Sequence, residues 1–589
     1  MPQFTATKEE IAHSPNTPRA FKHWQSTLPL VNMGETTRQI YLTLRTLNRQ
    51  PIPCKNRFEL MELLRPTASL VLNHLHKHLY GLSFPLSGKS KQIAKLCHAL
   101  LLELSVGYKH VTHDRSTGKK APDPRILATS THRAMRYIAE SILLSAIVYQ
   151  PDPPSSWHDL HRLLDFAAKH HFDQQPIDDN RYKTITSSTI EDVYKQVCLF
   201  AMTQPLRLRS GEAKRLCTFF ETGCHLVEMK KALTPDDHGR AHVASLKSSE
   251  PPAFIPLAEI TTFSNLRGFD LTRLISILND QINDRDDEKA PVMTAAKKIT
   301  LESQLINRLI HTWTQEEKRR FSRVSTHRNI VATIGLKKII SAINSDVHRE
   351  MGKEELFPPT TPAPPQPAYS PFNHDGIGLQ TDPEFDTRLT GTTPAYDHNL
   401  LMGELGYSSP QPPRKPPRSW QDWLVLNTGA GGYGLRWDKD STCLAQVGEL
   451  TALRDKEYNV YHWRIGIIRW MKTPEEGGLE VGVQLVAPRA VVVSVETIQN
   501  RNHSEILPIE ALMLPGMKTI QQPPSLLVPN QFFSVGDVLE INMLGKKLNI
   551  ELNKRGEHPS FYTQFFYRST EVQETVKTRE EFEDLWSRL

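Results

Sequence analysis

The chain has 589 residues, 39% of them hydrophobic and 23% charged, a balance typical of folded domains facing water. At roughly 100–200 residues per domain, it has room for two to four. Lys and Arg number 71 against 65 Asp and Glu, a formal charge of +6, too weak and too dispersed to argue for a nucleic-acid protein from charge. No run of about 20 apolar residues and no apolar h-region at the start are visible, so neither a membrane span nor a secretory signal is expected. Six scattered cysteines in a chain with ample core fit reduced thiols in a cytoplasm. Cys217 and Cys224, the closest pair, read as buried helix residues, because a metal site would need two further partners.

Residues 1–30 read as a disordered tail and 31–315 as a large, irregular α-helical domain. Ile93, Leu96, Cys97, Leu100, Leu101 and Leu104 mark one buried helix face, and Met135, Ile138, Ala139, Ile142, Leu143 and Ala146 another. The second helix is expected to stop at Gln150, before Pro151-Asp152-Pro153-Pro154. Ser156 is the expected N-cap of the next helix, which carries Leu160, Leu163, Leu164 and Ala167. Ser188 and Glu191 have capping-box spacing ahead of Val193, Val197 and Phe200. Asp270 is the expected cap ahead of Leu271, Leu274, Ile275, Leu278 and Ile282. No fixed-period repeat stands out. His74, His76 and His78, and the pair His170-His171, lack an adjacent carboxylate or third ligand and read as solvated or capped helix ends.

Near residue 350 the composition changes. Between Pro358 and Pro417 lie 14 of the 42 prolines, and FPPTTPAPPQP and PQPPRKPPR read as extended, solvated linker. From Trp420 the period becomes two. Trp423–Leu426, Ile465–Trp470, Leu479–Val486 and Val491–Val495 are short strand-like runs punctuated by Gly or Pro. Val538–Asn542 and Leu548–Leu552 read as a hairpin, Phe561–Arg568 as a last strand, and Arg579–Leu589 as a short terminal helix. The fold class is therefore multidomain α plus β. Residues 511–589 form its small C-terminal β appendage.

No phosphate loop, His-Glu-x-x-His, Gly-x-Ser-x-Gly or kinase signature occurs, so no enzyme, metal or cofactor is expected. Two other segments carry chemistry. Lys318-Arg319-Arg320-Phe321-Ser322-Arg323-Val324 precedes the strand-like Asn329–Ile334. Asn427-Thr428-Gly429-Ala430-Gly431-Gly432-Tyr433-Gly434-Leu435 follows the strand Trp423–Leu426. Guanidinium groups on a pre-strand segment can grip phosphate oxygens with paired N–H donors and can also lie on a purine face. An Asn at a strand end offers a donor and an acceptor to a base edge, and the glycines let backbone approach a ligand closely. Taken singly, the same segments are a basic helix end and a Gly-rich hairpin turn.

Together, the two segments resemble the Arg-x-x-x-Arg and Asp/Asn-x-Ser-x-x-Gly pair of the PilZ family, small β-barrels that bind cyclic di-GMP. GELTALRD, WRIGIIRWMK and GLEVGVQLVAP follow in the order of the remaining PilZ strands. On that resemblance, Arg319 and Arg323, with Arg320 beside them, hold phosphates and stack on guanine. Asn427 reads a guanine edge, Gly429 stands where the family has Ser, and Gly432 matches the family's Gly. Restoring the hydroxyl by Gly429→Ser is expected to be neutral or strengthening wherever the backbone tolerates a side chain.

The half-motifs are far apart, so the barrel, residues 316–510, is expected to be split by a helix and Pro-rich insertion at 337–418, which loop-closure entropy permits. Arg414 and Arg418 also satisfy Arg-x-x-x-Arg but leave no room for the intervening strand, so Arg319/Arg323 is preferred. The resemblance implies a bacterial, cytoplasmic, non-enzymatic cyclic di-GMP effector whose helical domain relays to an unknown protein partner. The alternative is a scaffold with a degenerate barrel. A nucleic-acid binder using Lys318–Arg328 is the weakest reading, because Glu316 and Glu317 dilute that run.

Overall fold

The computed structural model describes residues 15–113, 123–181, 184–231, 239–256, 265–286, 301–315, 322–351, 421–439, 443–455, 463–498, 508–516, 523–530, 532–543, 546–557, 559 and 561–570. They fall into two compact units, one mainly helical and one mainly β. The Pro-rich segment, Arg414, Arg418 and Arg579–Leu589 lie outside the described residues.

In the helical unit the described helices are α1 (Pro18–Ser26), α2 (Met33–Arg49), α3 (Cys54–Lys77), α4 (Gly88–His113), α5 (Pro124–Ile147), α6 (Ser156–Lys169), α7 (Ile190–Met202), α8 (Glu212–Gly223), α9 (Thr272–Asp286) and α10 (Ser303–Thr314). The apolar stripes expected on α4 and α5 are inward: Cys97, Leu100, Leu101, Leu104, Met135 and Ile142 are all buried. None of the described helices is long and apolar enough to cross a membrane.

Several local expectations shift. Part of the expected tail is ordered, since the Thr17 hydroxyl accepts from Ala20 N–H at the start of α1 and Phe21 is buried. Helix α5 stops at Ile147, and Tyr149 turns the chain with φ 52° before the proline run is reached. Ser156 is not an N-cap but the first residue of α6, while Ser155 precedes it in a left-handed conformation without a side-chain cap bond. The capping box of α7 is Thr189 and Asp192, one residue later than Ser188 and Glu191. Ser188 is unavailable as a cap because its hydroxyl lies 2.8 Å from His132 Nε2 in the interior. Asp270 does cap α9, accepting from Thr272 N–H at 3.1 Å.

The helical unit also holds a four-stranded antiparallel sheet that the sequence did not show: β1 (Glu228–Lys230), β2 (Arg240–Ser245), β3 (Ala253–Pro256) and β4 (Leu266–Asp270), in the order β1-β4-β2-β3. Buried in a row over Ala241–Ala244, β2 shows no alternation, and such short runs are not separable from helix by period.

The β unit contains two closed six-stranded barrels. The first comprises β5 (Val324–Ile334), β6 (Gln421–Gly429), β7 (Gly432–Trp437), β8 (Leu450–Asp455), β9 (Arg464–Lys472) and β10 (Leu479–Ala487), closing in the order β8-β9-β10-β7-β6-β5. Ile330 faces Trp423, and Thr333 faces Ala452. Asn329–Ile334 thus shares one sheet with Trp423–Leu426 and Arg464–Trp470, as the split-barrel reading required. Trp423 and Trp437 fill its interior with ring centroids 5.3 Å apart.

The second barrel comprises β11 (Val491–Thr497), β12 (Ile509–Leu514), β13 (Ser525–Val528), β14 (Val538–Met543), β15 (Lys546–Arg555) and β16 (Thr563–Ser569), ordered β11-β12-β13-β16-β15-β14. The C-terminal appendage is therefore a complete barrel. Val491–Val495, read as continuing the first barrel, opens the second instead, pairing with β12 and β14. The expected hairpin is β14–β15, with Met543 facing Lys546.

Helix α11 (Leu336–Met351), expected as part of an insertion, is structural. Its Leu336, Ile339, Ile340 and Ile343 join one buried cluster with Leu450, Trp463 and Ile465 of the first barrel and Leu512, Leu527 and Tyr562 of the second. Asp346 anchors it, accepting from Trp463 Nε1 at 2.8 Å and pairing with Arg454.

Candidate functional site

Strands β5 and β6 bring the two half-motifs together. Ser325 faces Asn427 and Val324 faces Thr428, although residues 352–420 lie between them in sequence. The ladder is irregular here. Thr326 and His327 of β5 oppose Leu426 alone, and β6 shifts register against β7 between Val425 and Asn427. Such bulges re-aim side chains at barrel rims. Alternation would continue the inward row of Trp423 and Val425 onto Asn427. The bulge instead leaves Asn427 half-buried at the strand end, its carboxamide against Gly434 so closely that a Cβ there would meet it at 2.8 to 3.0 Å.

The polar atoms around this bulge are undersupplied. Asn427 Oδ1 and Thr326 Oγ1 are buried without a hydrogen-bond partner. A buried acceptor left without a donor costs about 1–3 kcal/mol, and a ligand donor would remove that cost.

The turn after β6 packs tightly. At Gly429 a Cβ would lie 2.7 Å from the Ser322 carbonyl oxygen and 3.7 Å from Arg323 Cγ. The backbone here does not tolerate a side chain, so the expectation for Gly429→Ser is corrected: the substitution meets backbone. Gly432 has Gln484 of β10 as its Cα partner, and a Cβ would fall 2.0 Å from the Val483 carbonyl oxygen, so only Gly fits. Leu485 N–H donates to the Gly431 carbonyl at 3.0 Å. Arg323 is exposed at the entry to β5. Arg319 and Arg320 lie outside the described residues. Among the candidate residues, the fold therefore brings Arg323, Asn427, Gly429 and Gly432 to one rim. Thr326, Gly434 and Gln484 join it, and sequence reasoning missed them: pairing register, not local pattern, puts them there.

Three family models match the chain in sequence order, the second beginning inside β2 of the helical unit. Residues 19–235 match the N-terminal domain of the cyclic-di-GMP receptor FimW, residues 242–349 and 400–491 its middle PilZ domain, and residues 493–570 the FimW C-terminal beta-barrel domain. This chain belongs to the FimW family. The break in the PilZ match, 350–399, falls inside the expected insertion. The chain is 25% identical over 614 aligned residues to the cyclic-di-GMP receptor FimW of Pseudomonas aeruginosa, covering 99% of this chain and 98% of that one. No solved structure matches.

The FimW-type helical unit has polar features of its own. A cavity of about 660 Å3 lies among α3, α5, α7 and α8, far in sequence from the barrel rim. Its carboxylates are already engaged: Glu140 pairs with Arg181, Glu62 accepts from Tyr108, and Glu221 accepts from Thr184 N–H and hydroxyl. Asp192, Cys224 and His225 converge, but Asp192 is used by the Thr189 N–H and by Lys195 at 3.4 Å. Burial pushes the Cys224 thiol up to about 12, so it stays protonated. Cys217 is not in that group, and burial pushes its thiol up to about 12 as well. His74 and His78 meet edge to face at 5.2 Å.

Proposed function

We propose that this chain is a cyclic di-GMP receptor that performs no chemistry on its ligand, works in the cytoplasm and signals through a protein partner of the helical unit. The observation that carries this reading is the rim itself: an exposed Arg323 beside a glycine-rich turn, next to an Asn427 oxygen buried without a donor. The FimW relative is named a cyclic-di-GMP receptor, and the six cysteines, which form no disulfide among the described residues, suit a reducing compartment.

In this reading Arg323, with Arg319 and Arg320, holds the phosphates by charge-assisted hydrogen bonds and stacks on a guanine. Asn427 Oδ1 accepts from the guanine N–H edge, which carries a donor that adenine lacks. Gly429 and Gly432 let the sugar–phosphate ring approach backbone. The test is calorimetric titration of the full chain with cyclic di-GMP and, in parallel, cyclic di-AMP. The guanine dinucleotide should bind at least about tenfold tighter, a buried acceptor left without its donor costing roughly 1–3 kcal/mol. Equal binding of both would remove the role of Asn427. No binding of either at about 100 µM would favour the scaffold reading, for which the missing hydroxyl at Gly429 is the supporting observation.

A further inference from the structure

The ligand turn has a second neighbour that no motif describes. Gln484, Cα partner of Gly432, accepts through Oε1 from Arg469 Nε on β9 at 2.6 Å. The other face of the same guanidinium is bidentate to Glu557, with Nη2 to Oε1 at 2.6 Å and Nη1 to Oε2 at 3.0 Å. Glu557 belongs to the second barrel, on the connection from β15 to β16. Its backbone is clamped there: Gly556 N–H donates to the Gln564 carbonyl at 2.7 Å, and Gln564 N–H to the Glu557 carbonyl at 2.8 Å. Gln564 is itself fixed inside, its Nε2 donating to Ser525 Oγ at 3.0 Å.

We infer that Arg469 is a positioning residue: through Gln484 it sets the flank of the ligand turn, and through Glu557 it ties that flank to the second barrel, so that nucleotide occupancy and the contact between the barrels are linked. This rests on reading Gly429–Gly432 as the nucleotide turn. A guanidinium presents its donors in one rigid plane, so it serves Gln484 and Glu557 together only while both are held in register. Displacing the turn strains the Glu557 contact, and loss of that contact frees the turn. Arg469 and Glu557 are each about one-third exposed, at 34% and 32%. The bridge is therefore a modest contributor to stability and better placed to couple than to hold. Coupling is reciprocal: what Glu557 does for nucleotide affinity, nucleotide does for the order of residues 555–557 and 561–564.

Charge reversal tests this in the full chain. Arg469→Glu and Glu557→Arg should each weaken cyclic di-GMP binding about fivefold. The double variant restores the ion pair, the Gln484 carboxamide turning to donate to the new carboxylate, and should recover affinity to within about twofold of the original chain. A direct phosphate contact by Arg469 is not rescued in this way. A double variant as weak as Arg469→Glu, with Glu557→Arg binding like the original, overturns the inference. Hydrogen exchange without nucleotide keeps the test independent of the proposed function. Glu557→Gln should speed exchange of the amides in 429–434, and unchanged exchange there overturns the linkage even if the nucleotide binds. No binding by the original chain with faster exchange in Glu557→Gln would overturn only the receptor reading.

Discussion

Ser325 and Asn427 are Cα partners on adjacent antiparallel strands, and the register shifts of β6 against both its neighbours fall beside the pair, at Leu426. One belongs to the segment before the insertion and the other to the segment after it. The site is therefore assembled by barrel closure, and anything that loosens β5 against β6 loosens the site with it.

Gly429→Ser gives a first measure of that dependence. A Cβ 2.7 Å from the Ser322 carbonyl forces the mouth of the β5–β6 ladder open, at a cost of about 1–3 kcal/mol by analogy with overpacking. The expected outcome is a lower Tm in thermal unfolding and weaker cyclic di-GMP binding. Tighter binding at unchanged Tm would show that the turn accommodates a hydroxyl.

Helix α11 yields a prediction about cooperativity. Ile339 is fully buried in the cluster shared by both barrels, so Ile339→Ala should cost about 2–5 kcal/mol. The second barrel should lose stability with the first, seen as parallel loss of exchange protection in β8 and β12. Loss confined to one barrel would mean that the shared cluster does not couple them.

Glu449 makes the first barrel sensitive to pH. Burial pushes its carboxyl from 4.5 up to about 7, opposed in part by a hydrogen bond from Leu450 N–H. The folded state holds this proton more tightly than the unfolded state does. The contribution is thus fully present below about pH 4.5 and is lost as pH rises to about 7. Glu449→Gln should remove this fall and stabilise the chain at pH 8 by about 3 kcal/mol. An identical pH slope in denaturant unfolding of both proteins would contradict it.

Much of this was legible in the sequence. Helices α4 and α5 announced themselves because long apolar stripes have a period that little else imitates. The barrel strands could be read because β-branched runs such as Ile465–Trp470 lie between glycine and proline breaks. The sheet β1–β4 escaped, its strands being short and without alternation. The capping box moved by one residue because His132 engages Ser188 from elsewhere in the fold. At the site, Arg323, Asn427 and the glycines followed from residue chemistry and family resemblance. Thr326, Gly434, Gln484 and Arg469 did not, because each reaches the rim through strand register that no local spacing encodes.

The central claim is that the segment before β5, and not the proline-rich segment before β6, supplies the arginine to the ligand. Calorimetry of the full chain with cyclic di-GMP, run on the original protein, Arg323→Ala and the double variant Arg414→Ala/Arg418→Ala, tests it most directly. A charge-assisted phosphate contact is worth roughly 1.5–3 kcal/mol, so Arg323→Ala should bind at least about tenfold more weakly while the linker variant matches the original. Binding kept in Arg323→Ala and lost in the linker variant would contradict the account.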